Sequence, residues 1–348
     1  LPDDHALKAQ IKAIFPHLHP KQKGALNIIA VYHHYNWENF CLKPALEKFG
    51  TVRLYDWYDE FNHDDKNWQR SGKFKMNEAL VEKTKAWMAE SRADVIFMYV
   101  SGLLVEPDTL AALRGLGIPM VNLALNDKEH FVSKIRNGRA FGARDICRYF
   151  DLCWTSTEDA LVKYLVEGAR PIYMPEGANP ETHKPYNVDK TIDVSFVGQC
   201  YGNRAAVIEE LKRRGIAVEA YGFGWPNGPL DIEDMVKLYS RSKINLGFGG
   251  VEGHKDTFCL KGRDFEIPMS GGLYLTEDHP ELKCAFRPGE EILTYSGIDD
   301  LTKKIRYYLQ HPDEAESIRR KGYERAVRDH AWEARFARVF YLLGLLAE

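Results

Sequence analysis

Glycines meet cations at two places in the chain, and both have the chemistry of an anion site. The first runs from the strand pattern Asp193-Val-Ser-Phe-Val197 through the turn Gly198-Gln-Cys-Tyr-Gly202, with Asn203 and Arg204 then opening a helical pattern. Glycine lets the backbone approach a ligand, the free N–H groups of a helix start favour negative charge, and arginine pairs with phosphate bidentately. Gly198 and Arg204 therefore read as a phosphate cradle. The spacing is not the G-x-G-x-x-G of dinucleotide sites, and a glycine turn before a helix also serves as a turn alone. The second place is Lys261-Gly-Arg263-Asp-Phe-Glu266-Ile-Pro-Met-Ser-Gly271-Gly272, directly before the strand pattern Leu273–Thr276. Lys261 and Arg263 can offset a diphosphate, and Glu266 can accept two ribose hydroxyl hydrogens, which together make a donor pocket for a nucleotide sugar. The competing reading is a solvated charged turn, with Pro268 barring a long helix.

Other stretches carry chemistry with less definition. Tyr221-Gly-Phe-Gly-Trp225 leaves a strand with aromatics between glycines; a nucleobase can stack on Tyr221 or Trp225, or the rings simply cap the strand. Ile244 to Lys255 runs from a strand into a glycine-rich loop, where Glu252, His254 and Lys255 are polar enough to touch a substrate. In the first half, Tyr32-His33-His34-Tyr35-Asn36-Trp37 follows the first strand. Sugars stack on aromatic faces and an imidazole such as His34 can act as a general base, although either histidine also fits a satisfied buried position. Asp127 and His130 lie about one helical turn apart after the fourth strand, with Asp127 a second base or a plain helix N-cap. No H-E-x-x-H, P-loop, G-x-S-x-G or strand-end D-x-D occurs; Asp231-Ile-Glu233 follows Pro229 and reads as a helix N-cap. No metal is expected.

These residues need a scaffold, and the apolar pattern describes one. With 348 residues, 45% of them hydrophobic and 28% charged, the chain fits two ordinary globular domains and is too apolar for disorder. No stretch has the apolar length to span a bilayer, and 47 Lys+Arg against 50 Asp+Glu leaves a net charge of -3, with no global basic field for nucleic acid. Six scattered cysteines without a C-x-x-C pair fit reduced thiols, and no leader pattern opens the chain, so a cytoplasmic protein is expected. Short apolar runs alternate with amphipathic stretches, the mark of an α/β fold with parallel sheets. Strands are expected at Leu26–Tyr32, Val52–Tyr55, Asp94–Val100, Pro119–Ala124, Asp151–Thr155 and Ile172–Met174, and again at Asp193–Val197, Ala217–Tyr221, Ile244–Phe248, Gly272–Thr276 and Glu291–Tyr295. Three prolines and a glycine between Pro175 and Pro185 break the pattern. We therefore expect a first Rossmann-like domain over residues 1–178, a second over 179–328, and a last helix over 329–348 that packs back on the first. Two doubly wound domains would face each other across a cleft, with ligands beyond the carboxyl ends of the strands.

From about Asp151 onward the order of features resembles the CgeB-like glycosyltransferases, relatives of the large retaining GT-B families. The residues that carry the likeness are Phe150-Asp-Leu-Cys-Trp-Thr-Ser156, Pro175-Glu-Gly-Ala-Asn179, Asp193 to Gly198 with Arg204, Tyr221 to Trp225, Arg263-Asp-Phe-Glu266 through Gly271-Gly272, and Tyr307-Tyr-Leu with His330. The first domain resembles the family more loosely, through Asn126-Asp127. The resemblance implies a GT-B fold and a nucleotide diphosphate sugar bound by the second domain: Gly198 and Arg204 near the phosphates, Arg263 balancing their charge, Glu266 on the ribose. It implies an acceptor in the first domain. The E-x7-E signature of related retaining enzymes is incomplete, because Phe258 stands eight residues before Glu266. The expectation is a metal-independent glycosyltransferase without a cofactor, with Asp127 or His34 contacting the sugar or taking the acceptor proton. A nucleotide-sugar epimerase or hydrolase on the same plan, and a binding protein that has lost catalysis, are the rivals.

Overall fold

A computed structural model of the chain describes residues 3–251 and 254–347; Glu252 and the side chains of residues 254–256, His254 and Lys255 among them, lie outside that description. The chain divides into two compact units, Leu1–Pro175 with Glu333–Glu348, and Glu176–Trp332.

The first unit is built on six parallel strands: β1 Leu26–Val31, β2 Gly50–Tyr55, β3 Val95–Met98, β4 Met120–Ala124, β5 Leu152–Thr155 and β6 Pro171–Tyr173. Their order across the sheet is β2-β1-β3-β4-β5-β6. The inner strands β1, β3, β4 and β5 are buried along almost their whole length, which is why each reads as an unbroken apolar run rather than an alternating one. Helices α2 Glu38–Glu47, α3 Lys73–Glu90, α4 Pro107–Arg114 and α5 Leu161–Val166 join them. The sequence pattern begins its elements at Leu26, whereas the structure adds α1, Asp4–Ile14, capped by the Asp3 carboxylate on the Ala6 N–H at 2.8 Å. The chain returns to this unit at its end. In the last helix, Trp332–Leu342, the Phe336 ring meets Phe97 and Trp154 edge-on at 5.1 and 5.6 Å, and Phe340 meets Phe49 at 5.1 Å.

The second unit repeats the plan with five parallel strands: β7 Ile192–Val197, β8 Glu219–Tyr221, β9 Ser242–Leu246, β10 Tyr274–Glu277 and β11 Leu293–Tyr295, ordered β8-β7-β9-β10-β11. Its longer helices are α6 Arg204–Arg213, α7 Ile232–Arg241, α8 Gly262–Met269, α9 Gly297–Gln310 and α10 Pro312–Asp329. Asp231 caps α7, its carboxylate accepting from the Asp234 N–H at 2.8 Å. The segment from Lys261 is not a solvated turn. It forms α8, with Phe265, Ile267 and Met269 fully buried, and the helix stops one residue after Pro268, which has no N–H to give to the Asp264 carbonyl. Among the described residues no helix is long and apolar enough to cross a membrane.

In both sheets the second strand lies on one side of the first and the third strand on the other. This leaves a switch point between β1 and β3 and another between β7 and β9, and open α/β sheets hold ligands beyond the carboxyl ends of their strands at such points.

Candidate active site

At the switch point of the second unit, β7 is followed by Gly198, whose φ of +154° is backbone that other residues rarely adopt. A Cβ there would sit 2.6 Å from Nη1 of Arg263 and 2.9 Å from the Phe196 ring, so glycine makes room for the guanidinium. Arg263 comes from the first turn of α8, and Arg204 from the first turn of α6. Both guanidinium groups lie 5.4 Å from the centre of the same Phe196 ring. Arg204 is 2% exposed; it donates to the Gln199 carbonyl at 2.8 Å and the Tyr201 hydroxyl at 2.7 Å, and stacks on the Tyr201 ring at 3.8 Å. Nε of Arg263 is buried without a partner. Among the described residues neither guanidinium is paired with a carboxylate, and burial and the Arg263 charge hold Arg204 down to about 10. Nζ of Lys261 donates to the carbonyls of Gly250 at 2.7 Å and Phe248 at 3.3 Å, so a third cation points at neutral oxygens in the loop after β9.

Carboxyl groups gather one turn further along α8. Burial raises Glu266 to about 7, against the pull of Arg263. Burial, with the charges of Glu266 and Asp264, raises Glu176 to about 8. Asp264 is engaged in structure, accepting from the Lys261 N–H at 2.6 Å and the Tyr274 hydroxyl at 2.6 Å. His183, held down to about 4 by burial, has Nε2 3.8 Å from Oε1 of Glu266.

The first unit holds a cavity of about 650 Å³ at its own switch point, within the usual range for a small-molecule site. Tyr35 and Trp37 after β1, Tyr99 and Leu103 after β3, Leu125 after β4 and Phe141 line it, with Asp127 and His130 as polar groups. One buried carboxylate oxygen of Glu38 accepts from the N–H groups of Tyr35, Asn36 and Trp37 at 2.9–3.1 Å, which fixes the turn that presents the two aromatics. Asp127 does not cap its helix. Its carboxylate is buried and accepts from the hydroxyls of Thr155 at 3.0 Å, Thr157 at 3.2 Å and Tyr164 at 2.7 Å, while His130, which borders the same cavity, is exposed. Burial raises the Asp127 pKa and those three donors oppose the rise. Nδ1 of His34 accepts from the Asn39 N–H at 3.3 Å. Its neighbour His33 makes the stronger pairing, with Nδ1 at 2.8 Å from the Asp56 carboxylate and its ring stacked on Tyr58 at 4.3 Å.

A family model described as glycosyl transferase-like matches residues 204–340. No curated protein matches the chain. Among solved structures, sucrose-phosphate synthase from Thermosynechococcus elongatus superposes with a TM-score of 0.64 at 13% identity, covering 92% of this chain and 99% of its own. HepE of Anabaena in complex with UDP-glucose gives 0.62 at 11%, covering 92% and 100%. A glycosyltransferase from Rickettsia africae gives 0.64 at 11%, covering 92% and 98%. The fold is GT-B. On this GT-B frame Gly198, Arg204 and Arg263 come together from three segments of one unit, with Lys261 and Glu266 on either side of Arg263 along one segment.

Two other residues singled out in the sequence stand apart from the cluster. The Tyr221 hydroxyl donates to Glu219 at 3.1 Å, and only the Tyr221 carbonyl reaches the site, accepting from the Gly198 N–H at 2.9 Å. Gly271, with φ +70°, ends α8 at the far side from Arg263 and closes on Pro185. No role is read from the sequence for Glu176 or His183 of the second unit, for Glu38 of the first, or for the His33–Asp56 pair. Glu176 and His183 lie inside the proline-rich break, and an acid and a histidine in a segment too broken for regular structure are the signal that could have found them.

Proposed function

We propose that the chain is a glycosyltransferase that moves a sugar from a nucleoside diphosphate sugar to an acceptor hydroxyl, with no metal in the step. One observation carries the reading: Arg204 and Arg263 are held against one phenylalanine ring beside Gly198, and among the described residues neither forms an ion pair with a carboxylate. Two like charges kept together at a cost call for an anion between them, and a diphosphate matches that demand. When the bond from the anomeric carbon to the diphosphate breaks, its electron pair stays on the leaving oxygen. Arg263, Arg204, Lys261 and the free N–H groups at the start of α6 stabilise that growing charge, which is the work a metal does elsewhere. The family model over 204–340 and the UDP-glucose bound by HepE support the donor class. Glu266 takes the ribose. The acceptor occupies the aromatic cavity of the first unit, and its hydroxyl proton passes to a base as the new glycosidic bond forms. Of Asp127 and His34, Asp127 borders that cavity and is the better placed.

The test is product analysis after incubating the chain with UDP-glucose and a panel of acceptors carrying a flat ring, with and without EDTA. A new glycoside formed equally in EDTA is the expected result. Release of free sugar alone would favour a hydrolase, and strict dependence on Mg²⁺ would remove the cation-only mechanism.

A further inference from the structure

The two arginines do not account for all the unpaired chemistry of the second unit. Around Glu266 stand three buried polar atoms without a hydrogen bond among the described residues: Nε2 of His183, which lies 3.8 Å from Oε1 of Glu266, the Tyr239 hydroxyl and Nε of Arg263. His183 and Tyr239 are each 1% exposed. Native proteins rarely bury polar atoms unpaired, so several at one spot mark the footprint of a polar ligand.

A second acid borders the same volume. A Cβ built at Gly262 would lie 2.9 Å from Oε1 of Glu266 and 3.4 Å from Oε2 of Glu176. Glu176 arrives from the segment before β7 rather than from α8. The groups facing the pair are Lys261, Arg263 and Asp264 from α8, Tyr239 from α7 and His183 from the segment after Asn179, while the His330 carbonyl closes on Gly177. Both carboxyl groups border Gly262, and burial together with the Glu266 charge disfavours ionisation of Glu176.

We propose that Glu176 and Glu266 work as one pair holding a single proton, in which neutral Glu176 donates a hydrogen bond to one hydroxyl of a vicinal diol while ionised Glu266 accepts from the other. The ligand is the nucleotide sugar of the reading above, on which this inference rests, and the diol belongs either to its ribose or to the transferred sugar. A neutral carboxyl beside an ionised one matches a diol, whose oxygens both give and take hydrogen bonds. It also spares the diphosphate a second negative neighbour.

Calorimetric titration of the full chain with UDP, 2′,3′-dideoxy-UDP and UDP-glucose on either side of pH 8 tests this. UDP affinity should fall as the pH rises through 8, because the pair then loses its donor and gains a charge. Glu176→Gln keeps a neutral donor and should bind equally on both sides, whereas Glu176→Ala should bind about 10- to 100-fold more weakly at neutral pH. Loss of the pH effect with the dideoxy ligand assigns the diol to ribose; an effect seen with UDP-glucose alone assigns it to the transferred sugar. Flat affinity for UDP and UDP-glucose alike, with Arg263→Ala still abolishing binding, overturns the shared proton and leaves the donor site standing. Failure of both nucleotides to bind overturns both.

Discussion

Arg263 and Arg204 share a ring but differ in how far each is already engaged. Arg204 also braces the loop, donating to Gln199 and Tyr201, while Nε of Arg263 has no hydrogen bond beside Gly198. An unpaired buried cation next to another is a burden on the resting fold and an asset only when an anion arrives. Arg263→Met should therefore raise the midpoint of thermal unfolding in the absence of ligand. The same change should lower kcat/KM by about 100- to 1,000-fold, on the scale of a lost oxyanion donor. Unfolding scans and initial rates on the one variant check both halves; a variant that loses stability and keeps its rate would make Arg263 a structural residue. Glycine at 198 follows from the same geometry, since any Cβ meets the guanidinium.

At the scale of elements, α8 is the part that turns sequence into site. Its first turn brings Arg263 to the switch point, Lys261 at its N-cap reaches the loop after β9, and its second turn brings Glu266 to border Gly262 with Glu176, while Phe265, Ile267 and Met269 anchor it in the core. Helix α7 shows the contrasting case of an element with structural work alone at its start. Its Asp231 cap stands at the far end from the cluster residue Tyr239, so Asp231→Ala should cost about 0.5–2 kcal/mol of stability and leave kcat unchanged, measured by urea unfolding beside steady-state rates. The inner strands were readable because a strand buried on both faces must be apolar throughout. Helix α1 was not, because its buried side is only Leu7 and Ile11, too little periodicity to stand out among Lys and His neighbours. Helix α8 was half readable: the cations were plain, but Pro268 argued against the helix that carries them.

For the whole molecule, the consequential feature is that the last residues belong to the first unit. Phe336 is fully buried between Phe97 of β3 and Trp154 of β5, so the sheet of the first unit is finished only by residues more than 300 positions after it begins. Phe336→Ala should destabilise that unit by about 3–5 kcal/mol, read as an earlier urea transition in tryptophan fluorescence. A transition that does not move would mean the terminal helix adds no support to the sheet.

Composition and pattern determined the α/β class, the strands, and the identity of the cations, because burial on both faces and charge beside glycine leave marks along one dimension. The partners of those residues were decided in three dimensions. That Arg204 and Arg263 share the Phe196 ring, that Asp127 is held by Thr155, Thr157 and Tyr164, and that Glu176 meets Glu266 across Gly262 all join positions tens of residues apart. Side chains so far apart in sequence become neighbours only through strand order and helix placement, and the pKa of a buried acid follows from those neighbours rather than from its own type.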